Sequence, residues 1–307
     1  MGHFLQSDAW RQFQEALGRK SFTDQGDGWS YTAYLEKGSG NTRLYTPYGP
    51  TLERPDVLPA AIDSLLAHAR RHKATFLRIE PPTNTDEKTL EALGFKPVTY
   101  QQLNPARTQV VDLSPAPEDI LAQMSQNSRN LTRNYEKKGL MITSSQDPKD
   151  VTILTTLLHG VASRNHITPH SDAYFETQAK ILFPLGAARL FYATFEDKPI
   201  AAALVYDSDD TRYYAHAAAD DEFRKLSAGT ALVGHMILDA KSQGLSWFDL
   251  YGIAPEGAPN HPWAGFTKFK QSFGGQPVEF LGAWDLPLKL LPYVTYRTYQ
   301  TVRRRLK

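Results

Sequence analysis

One stretch near the C-terminus carries acids, bases and aromatic residues at spacings that chemistry could use. It runs Trp247-Phe248-Asp249-Leu250-Tyr251-Gly252-Ile253. It resumes at His261-Pro262-Trp263-Ala264-Gly265-Phe266-Thr267-Lys268-Phe269-Lys270-Gln271-Ser272-Phe273-Gly274-Gly275. Strand alternation puts Asp249 and Tyr251 on one face, away from Phe248 and Leu250. They stand at a strand end, where open α/β sheets bind ligands. Lys268 and Lys270 are two apart on a short helix over 267–273 and cannot share a face. Lys270 stands between Phe269 and Phe273, so its stem packs on apolar ground while its ammonium faces an anion or a developing oxyanion. Taken alone, each lysine also reads as an ordinary surface residue.

A second candidate is Arg224-Lys225-Leu226-Ser227-Ala228-Gly229, just ahead of a long helical pattern. Acyltransferases that use coenzyme A place a basic loop with two glycines here. It offers backbone N–H groups and a helix N-terminus to the pyrophosphate. Ser227 occupies the place of the first glycine, where a side chain obstructs close approach. The plainer expectation is that Ser227 caps the helix. Tyr213 and Tyr214 are neighbours on a strand, so alternation sends one of them to the core. The nine histidines yield no His-Asp-Ser arrangement from their order.

The elements that position these residues recur. In the first half, 29–36 alternates as a strand and 42–48 follows after a Gly-Ser-Gly-Asn turn. Helical spacing then covers 57–72, with Leu58, Ile62, Leu65, Leu66 and Ala69 as its apolar stripe. A strand over 74–80 and a short helix over 85–93 end at Gly94. The second half repeats the order: strands 190–196, 200–207 and 211–217, a long helix 228–243, a strand 246–251 and the short helix 267–273. Hairpin, long helix, strand, short helix is how an N-acetyltransferase-like α/β unit is built. Two such units in tandem are expected. The turn at Ser114-Pro115-Ala116-Pro117 sets the boundary, giving 1–112 plus 285–307 and 113–284. The tail after Trp284 belongs to neither repeat. Its apolar residues, Leu288 to Tyr299, are expected to pack back on the first half.

Composition narrows the class. A chain of 307 residues is long enough for two ordinary domains. The absence of cysteine excludes disulfides, thiolate metal sites and cysteine nucleophiles. Polar residues interrupt the N-terminus where a secretory signal would be apolar, and no run approaches the roughly 20 apolar residues of a membrane span. A cytoplasmic protein is expected. The net charge of +1 is uneven. Four basic residues face one acid over 129–138, and six (Lys289, Arg297, Arg303, Arg304, Arg305 and Lys307) face Asp285 over 283–307. Such runs read first as solvated faces, yet they also suit a local phosphate-bearing ligand.

The Gly-Ile-Ala-Pro run from Gly252, the His-Pro-Trp-Ala-Gly linker and Thr-Lys-Phe-Lys-Gln-Ser-Phe-Gly-Gly resemble the C-terminal signature of the Fem family of bacterial aminoacyltransferases. Phe4-Leu5-Gln6-Ser7, with Trp10, Phe13 and Gln14, resembles its N-terminal signature. Tyr45-Thr46-Pro47-Tyr48-Gly49-Pro50 resembles the family's Arg-Gly-Pro turn, with Tyr48 in place of arginine. Leu77-Arg78-Ile79-Glu80-Pro81 matches next, and residues 107–114 and 127–140 resemble the crossover between halves. The similarity covers nearly the whole chain in order. No heptad-rich insertion occurs, so it resembles the compact form without a long helical arm.

The resemblance implies two acetyltransferase-like units and transfer of an aminoacyl group from aminoacyl-tRNA to an amine on a peptidoglycan precursor's stem peptide. It implies no cofactor and no metal. Phe269-Lys270 matches the pair at the reaction centre, with Lys270 assisting the ester and its oxyanion. Asp249, Tyr251 and Tyr214 are candidates for orienting the amine, and Arg164 for the precursor's diphosphate. Arg224 and Trp263 complete the substrate-binding set. A monomer is expected, with peripheral contact to an anionic membrane through 297–307. Two rivals stay open: an acyl-CoA-dependent N-acyltransferase, and a noncatalytic binding protein on the same fold.

Overall fold

The computed structural model describes residues 2–38, 40–83, 85–101, 103–165, 168–258, 261 and 263–305, without the side chains of residues 165 and 305. The chain forms two mixed α/β units, Met1–Ala106 with Glu279–Lys307 and Arg107–Val278. The first begins with α1 (Asp8–Ala16), β1 (Lys20–Gly26), β2 (Trp29–Gly38), β3 (Asn41–Thr46) and β4 (Thr51–Leu52). It continues through α2 (Leu58–Arg71), β5 (Phe76–Ile79), α3 (Glu87–Ala92) and β6 (Lys96–Pro97). The second unit opens with β7 (Arg107–Asp112), α4 (Pro117–Gln123), α5 (Gln126–Asn134), β8 (Leu140–Ser145), α6 (Val151–Asn165) and α7 (Asp172–Leu182). Then come β9 (Ala188–Phe195), β10 (Lys198–Asp207), β11 (Thr211–Ala219), α8 (Ala228–Ser242), β12 (Trp247–Gly252), α9 (Ala264–Gln271) and β13 (Gln276–Glu279). The chain returns to the first unit as β14 (Trp284–Pro287) and α10 (Leu290–Arg305).

The repeat is visible in the sheets. The first runs β1-β2-β3-β5-β14-β6 with β4 on β2, and the second β13-β7-β12-β11-β10-β9-β8. In each a parallel pair, β3 with β5 and β11 with β12, is joined by the long helix between its strands. Beside each pair lies an antiparallel strand, β14 on β5 and β7 on β12.

These outer strands correct two expectations. Residues 107–112 were assigned to the first half, but they pair Trp247↔Asp112, Phe248↔Val111 and Asp249↔Val110, and Val111 is fully buried in the second core. The boundary therefore falls between Ala106 and Arg107. The tail does not stand outside the repeat: β14 fills in the first sheet the place that β7 fills in the second.

Burial explains why these segments fold as they do. In α2 the fully buried Leu58, Ala61, Ile62, Leu65 and Ala69 form one stripe on the first sheet, with Leu66 at its edge. α8 is buried on more sides, because α5 crosses the face that the sheet does not cover. A Cβ on Gly234 would stand 1.9 Å from the Thr132 hydroxyl, so glycine permits that crossing. The tail packs back on the first unit through Tyr293 and Tyr296, both against Phe76. Leu290, Leu291, Val294 and Tyr299 remain exposed, which departs from the expected covering, and Val302 beyond them is exposed as well.

Candidate functional site

β11 and β12 pair only over Thr211↔Trp247, Arg212↔Phe248 and Tyr213↔Asp249. Both strands run on past that register, and no further pair joins them among the described residues. The parallel pair therefore opens at its C-terminal end, the position at which α/β sheets take ligands.

Asp249 stands at this opening. On the other side of β12 the register with β7 shifts, so that Leu250 and Tyr251 lie between the pairs Asp249↔Val110 and Gly252↔Thr108. The bulge puts Tyr251 at φ 66°, a left-handed conformation that is costly for a residue with a Cβ. The buried Asp249 carboxylate accepts the Tyr251 N–H at 2.7 Å and holds the turn. Strand alternation, which placed both side chains on one face, is thus interrupted between them.

Lys270 reaches the same place from α9. Its Nζ donates to the Gly252 carbonyl at 2.6 Å, and the side chain is half-buried while Lys268 is exposed. Three sets of contacts fix the helix. The Ala254 N–H donates to Thr267 Oγ1, which donates to the Trp263 carbonyl, both at 2.8 Å. Ser272 is bonded to α5 through the Ser125 N–H and the Ser128 hydroxyl. Phe269 packs edge-on against the fully buried Phe273 at 5.2 Å. The glycines behind are required: Gly275 has φ 71°, and a Cβ there would lie 2.1 Å from the Val110 carbonyl.

Burial sets the charges. It pushes Asp249 up to about 7, against the Tyr251 amide and the Lys270 charge. It brings Lys270 down to about 8, against the pull of Asp249. The site thus holds a carboxylate able to take a proton near neutrality beside an ammonium with N–H groups for a developing oxyanion.

This carries a stability prediction. Asp249 binds more protons folded than unfolded between pH 3.8 and about 7, so its contribution falls as pH rises through that window. Lys270 binds fewer folded than unfolded between about 8 and 10.5, so its contribution rises there. The pair should give a minimum between pH 7 and 8. Asp249→Asn should flatten the lower limb of the melting-temperature profile and Lys270→Met the upper. Unchanged limbs in both variants would show that the two groups are not buried as a pair.

The other expected residues are dispersed. Trp263 precedes α9, its N–H on His261 Nδ1 at 3.1 Å and its ring edge-on to that histidine. Pro262, within the same linker, lies outside the described residues. Tyr214 is packed against the second core while Tyr213 is buried as well. Alternation could not choose between them, because helices cover both faces of this sheet. Arg164 lies in the last turn of α6, exposed, in a groove of about 470 Å³ with Lys198, Pro199 and Asp220. Arg224 is exposed in the turn before α8. No described contact joins Arg164, Arg224 or Tyr214 to Lys270.

Ser227 departs from expectation. It stands at the N-cap of α8 but its side chain makes no capping bond, and its backbone is left-handed, φ 56° and ψ 36°. The position has the conformation a glycine favours and carries a hydroxymethyl group instead.

The structure adds residues that the sequence did not single out. The Tyr206 hydroxyl accepts from Gln178 at 2.7 Å and lies 3.0 Å from His216 Nε2. Burial, with the Tyr174 and Tyr251 phenols nearby, pushes Tyr206 well up, so this cluster borders the Tyr251 bulge. Burial brings His216 down to about 3. A second bulge, pairing Leu204 with His216 but Val205 with Tyr214, brings that histidine round. Such an irregularity has no sequence signal. Among the described residues no group of three or more His, Asp or Glu could hold a metal.

Residues 184–301 match the model of the FemAB family. Over 108 residues, 35% of this chain, the sequence is 23% identical to the aminoacyltransferase FemA of Staphylococcus aureus. That alignment spans about a quarter (26%) of FemA's length. Among solved structures, FemX superposes with a TM-score of 0.85 at 18% identity, covering 96% of this chain and 95% of FemX. A tandem GNAT protein from the clavulanic acid biosynthesis pathway superposes at 0.50 with 14% identity, covering 85% and 79%. The tandem acetyltransferase-like fold is therefore shared, and no long helical arm occurs among the described residues.

Proposed function

We propose that this chain, which belongs to the Fem family, transfers an aminoacyl group from aminoacyl-tRNA to an amine on the stem peptide of a peptidoglycan precursor, building interpeptide bridges. The observation that carries the reading is Lys270 held on the Gly252 carbonyl beside buried Asp249, at the open end of the β11–β12 pair. All of these residues lie inside the segment that matches the family.

In this reading the amine nitrogen attacks the ester carbonyl carbon, and the carbonyl electrons move to oxygen. A Lys270 N–H donates to that oxyanion. Asp249 takes the proton lost by the nitrogen, and Tyr251 and Tyr214 orient the amine. Collapse of the intermediate forms the amide and breaks the carbon–oxygen bond, and the tRNA hydroxyl leaves with the proton. An ester becomes an amide, so the step runs downhill. Phe269 and Trp263 shape the approach, and Arg224 and Arg164 face the anionic substrates. The enzyme works as a monomer in the cytoplasm.

The direct test incubates purified protein with charged tRNAs and either the nucleotide-linked or the lipid-linked precursor, read by mass spectrometry. A precursor heavier by one amino acid residue is expected. No gain with any charged tRNA would sink the reading. Arg164→Ala should raise the KM for the precursor roughly 10-fold with little change in kcat, as loss of one hydrogen bond to a charged group does. An unchanged KM would remove Arg164 from the diphosphate.

A second reading, an acyl-CoA-dependent N-acyltransferase, would use the glycine-like backbone before α8 but must seat its pyrophosphate past the Ser227 side chain. Clear thermal stabilisation by coenzyme A would support it against the first.

A further inference from the structure

The exposed face of α10 is apolar along its centre and basic along both sides. Leu291, Val294 and Val302 are 81%, 48% and 50% exposed. With Thr298 they follow helical spacing along the side opposite Tyr293 and Tyr296, which hold the helix to the first unit. The neighbouring Thr295 and Thr301 hydroxyls donate to the helix's own carbonyls at 3.1 and 2.8 Å, which lowers the polarity of this surface. Arg297 flanks the stripe on one side, where Arg304 donates to the Thr99 carbonyl. On the other side Arg303 enters a groove of about 970 Å³ with Arg19, Lys20, Lys37 and Arg43. Glu36 is the one acid lining this groove among the described residues, and it is bonded to Arg43 and Arg19. Beyond Asp285, which is buried, the sequence has no acidic residue.

We infer that α10 is a membrane-docking helix for an anionic lipid surface: Leu291, Val294 and Val302 enter the headgroup boundary, and the flanking arginines and the basic groove hold lipid phosphates. A helix lying in an interface needs this arrangement of apolar centre and cationic flanks. RNA would use the groove and its tyrosines but gives no reason for exposed leucine and valine. A second copy of the chain would cover the apolar stripe but would bring like charges together. The Arg305 side chain is not described and Lys307 lies outside the described residues, and neither is needed. The inference does not depend on the chemistry proposed above, although a lipid-linked acceptor would profit from it.

Flotation with vesicles of equimolar phosphatidylglycerol and phosphatidylcholine tests this, with pure phosphatidylcholine vesicles beside them. The full chain should float with the anionic vesicles, about 10-fold less with the neutral ones, and less as salt rises. Leu291→Ser/Val294→Ser/Val302→Ser should lose flotation at low salt, and Arg297→Gln/Arg303→Gln should lose it at physiological salt. All five residues are exposed, so circular dichroism should be unchanged. Transfer to a water-soluble precursor should also be unchanged by the serine substitutions, which separates this proposal from the reaction itself. Serine variants that float like the parent would overturn it. So would a parent that ignores anionic vesicles but binds uncharged tRNA, or one that dimerises through this face instead.

Discussion

Lys270→Ala is expected to lower the rate of aminoacyl transfer by on the order of 10²–10³, as loss of an oxyanion donor does, in a protein that stays folded. Nζ makes one described hydrogen bond, to the Gly252 carbonyl. Phe269 and Phe273 fix α9 without it. Folding therefore survives while the reaction loses its cation. Lys268→Ala is the control on the same helix. It is exposed, and its rate should stay within about twofold of the parent. Precursor affinity should change little in Lys270→Ala, because the oxyanion exists only near the transition state. The pH dependence gives a separate check. Activity should rise as Asp249 loses its proton through about 7 and fall as Lys270 loses its own through about 8. The narrow bell should lose its acid limb in Asp249→Asn. Near-normal turnover in Lys270→Ala would move the reaction centre elsewhere, with Asp249 and Tyr251 the next residues to test.

How much of this was legible depends on whether the signal was local. The α2 stripe and the β10–β11 hairpin follow from spacings within one segment, so periodicity found them. The repeat of hairpin, long helix, strand and short helix was legible for the same reason, and it led to the tandem acetyltransferase-like fold. α6 is the element missed despite a local signal, since Val151, Leu154, Leu158 and Val161 recur at helical spacing and Val151 and Leu154 are buried. The half-burial of Lys270 could be read from its aromatic neighbours. The left-handed Tyr251 could not, since the bulge arises from the register of β12 against β7, more than a hundred residues earlier. His216 beside Tyr206 was hidden for a like reason. Ser227 shows the converse limit: a capping residue type stood at a capping position, yet its backbone conformation left the side chain out of the cap.

Asp285→Ala should cost about 3–5 kcal/mol of stability, the usual result of removing one partner of a buried ion pair. Arg78 on β5 and Asp285 on β14 are both fully buried, 207 positions apart in sequence. They meet in a two-pronged contact at 2.7 and 2.9 Å. The Tyr100 and Tyr293 hydroxyls donate to the same carboxylate at 2.5 and 3.2 Å. Truncation at Asp285 leaves the guanidinium with Gln101 and Tyr100 alone and its charge uncompensated. It also removes the carboxylate acceptor of the Tyr100 and Tyr293 hydroxyls. The loss should be read as a lower urea midpoint followed through Trp284, which is buried next to the substituted position. Replacing both partners, as Arg78→Met/Asp285→Leu, should cost much less, because an apolar pair of similar volume leaves no buried charge. That difference separates the charge from the packing. If Asp285→Ala alone lowers stability by less than about 1 kcal/mol, β14 is held to β5 by its strand pairing and apolar contacts. The returning strand would then need no ion pair to complete the first sheet.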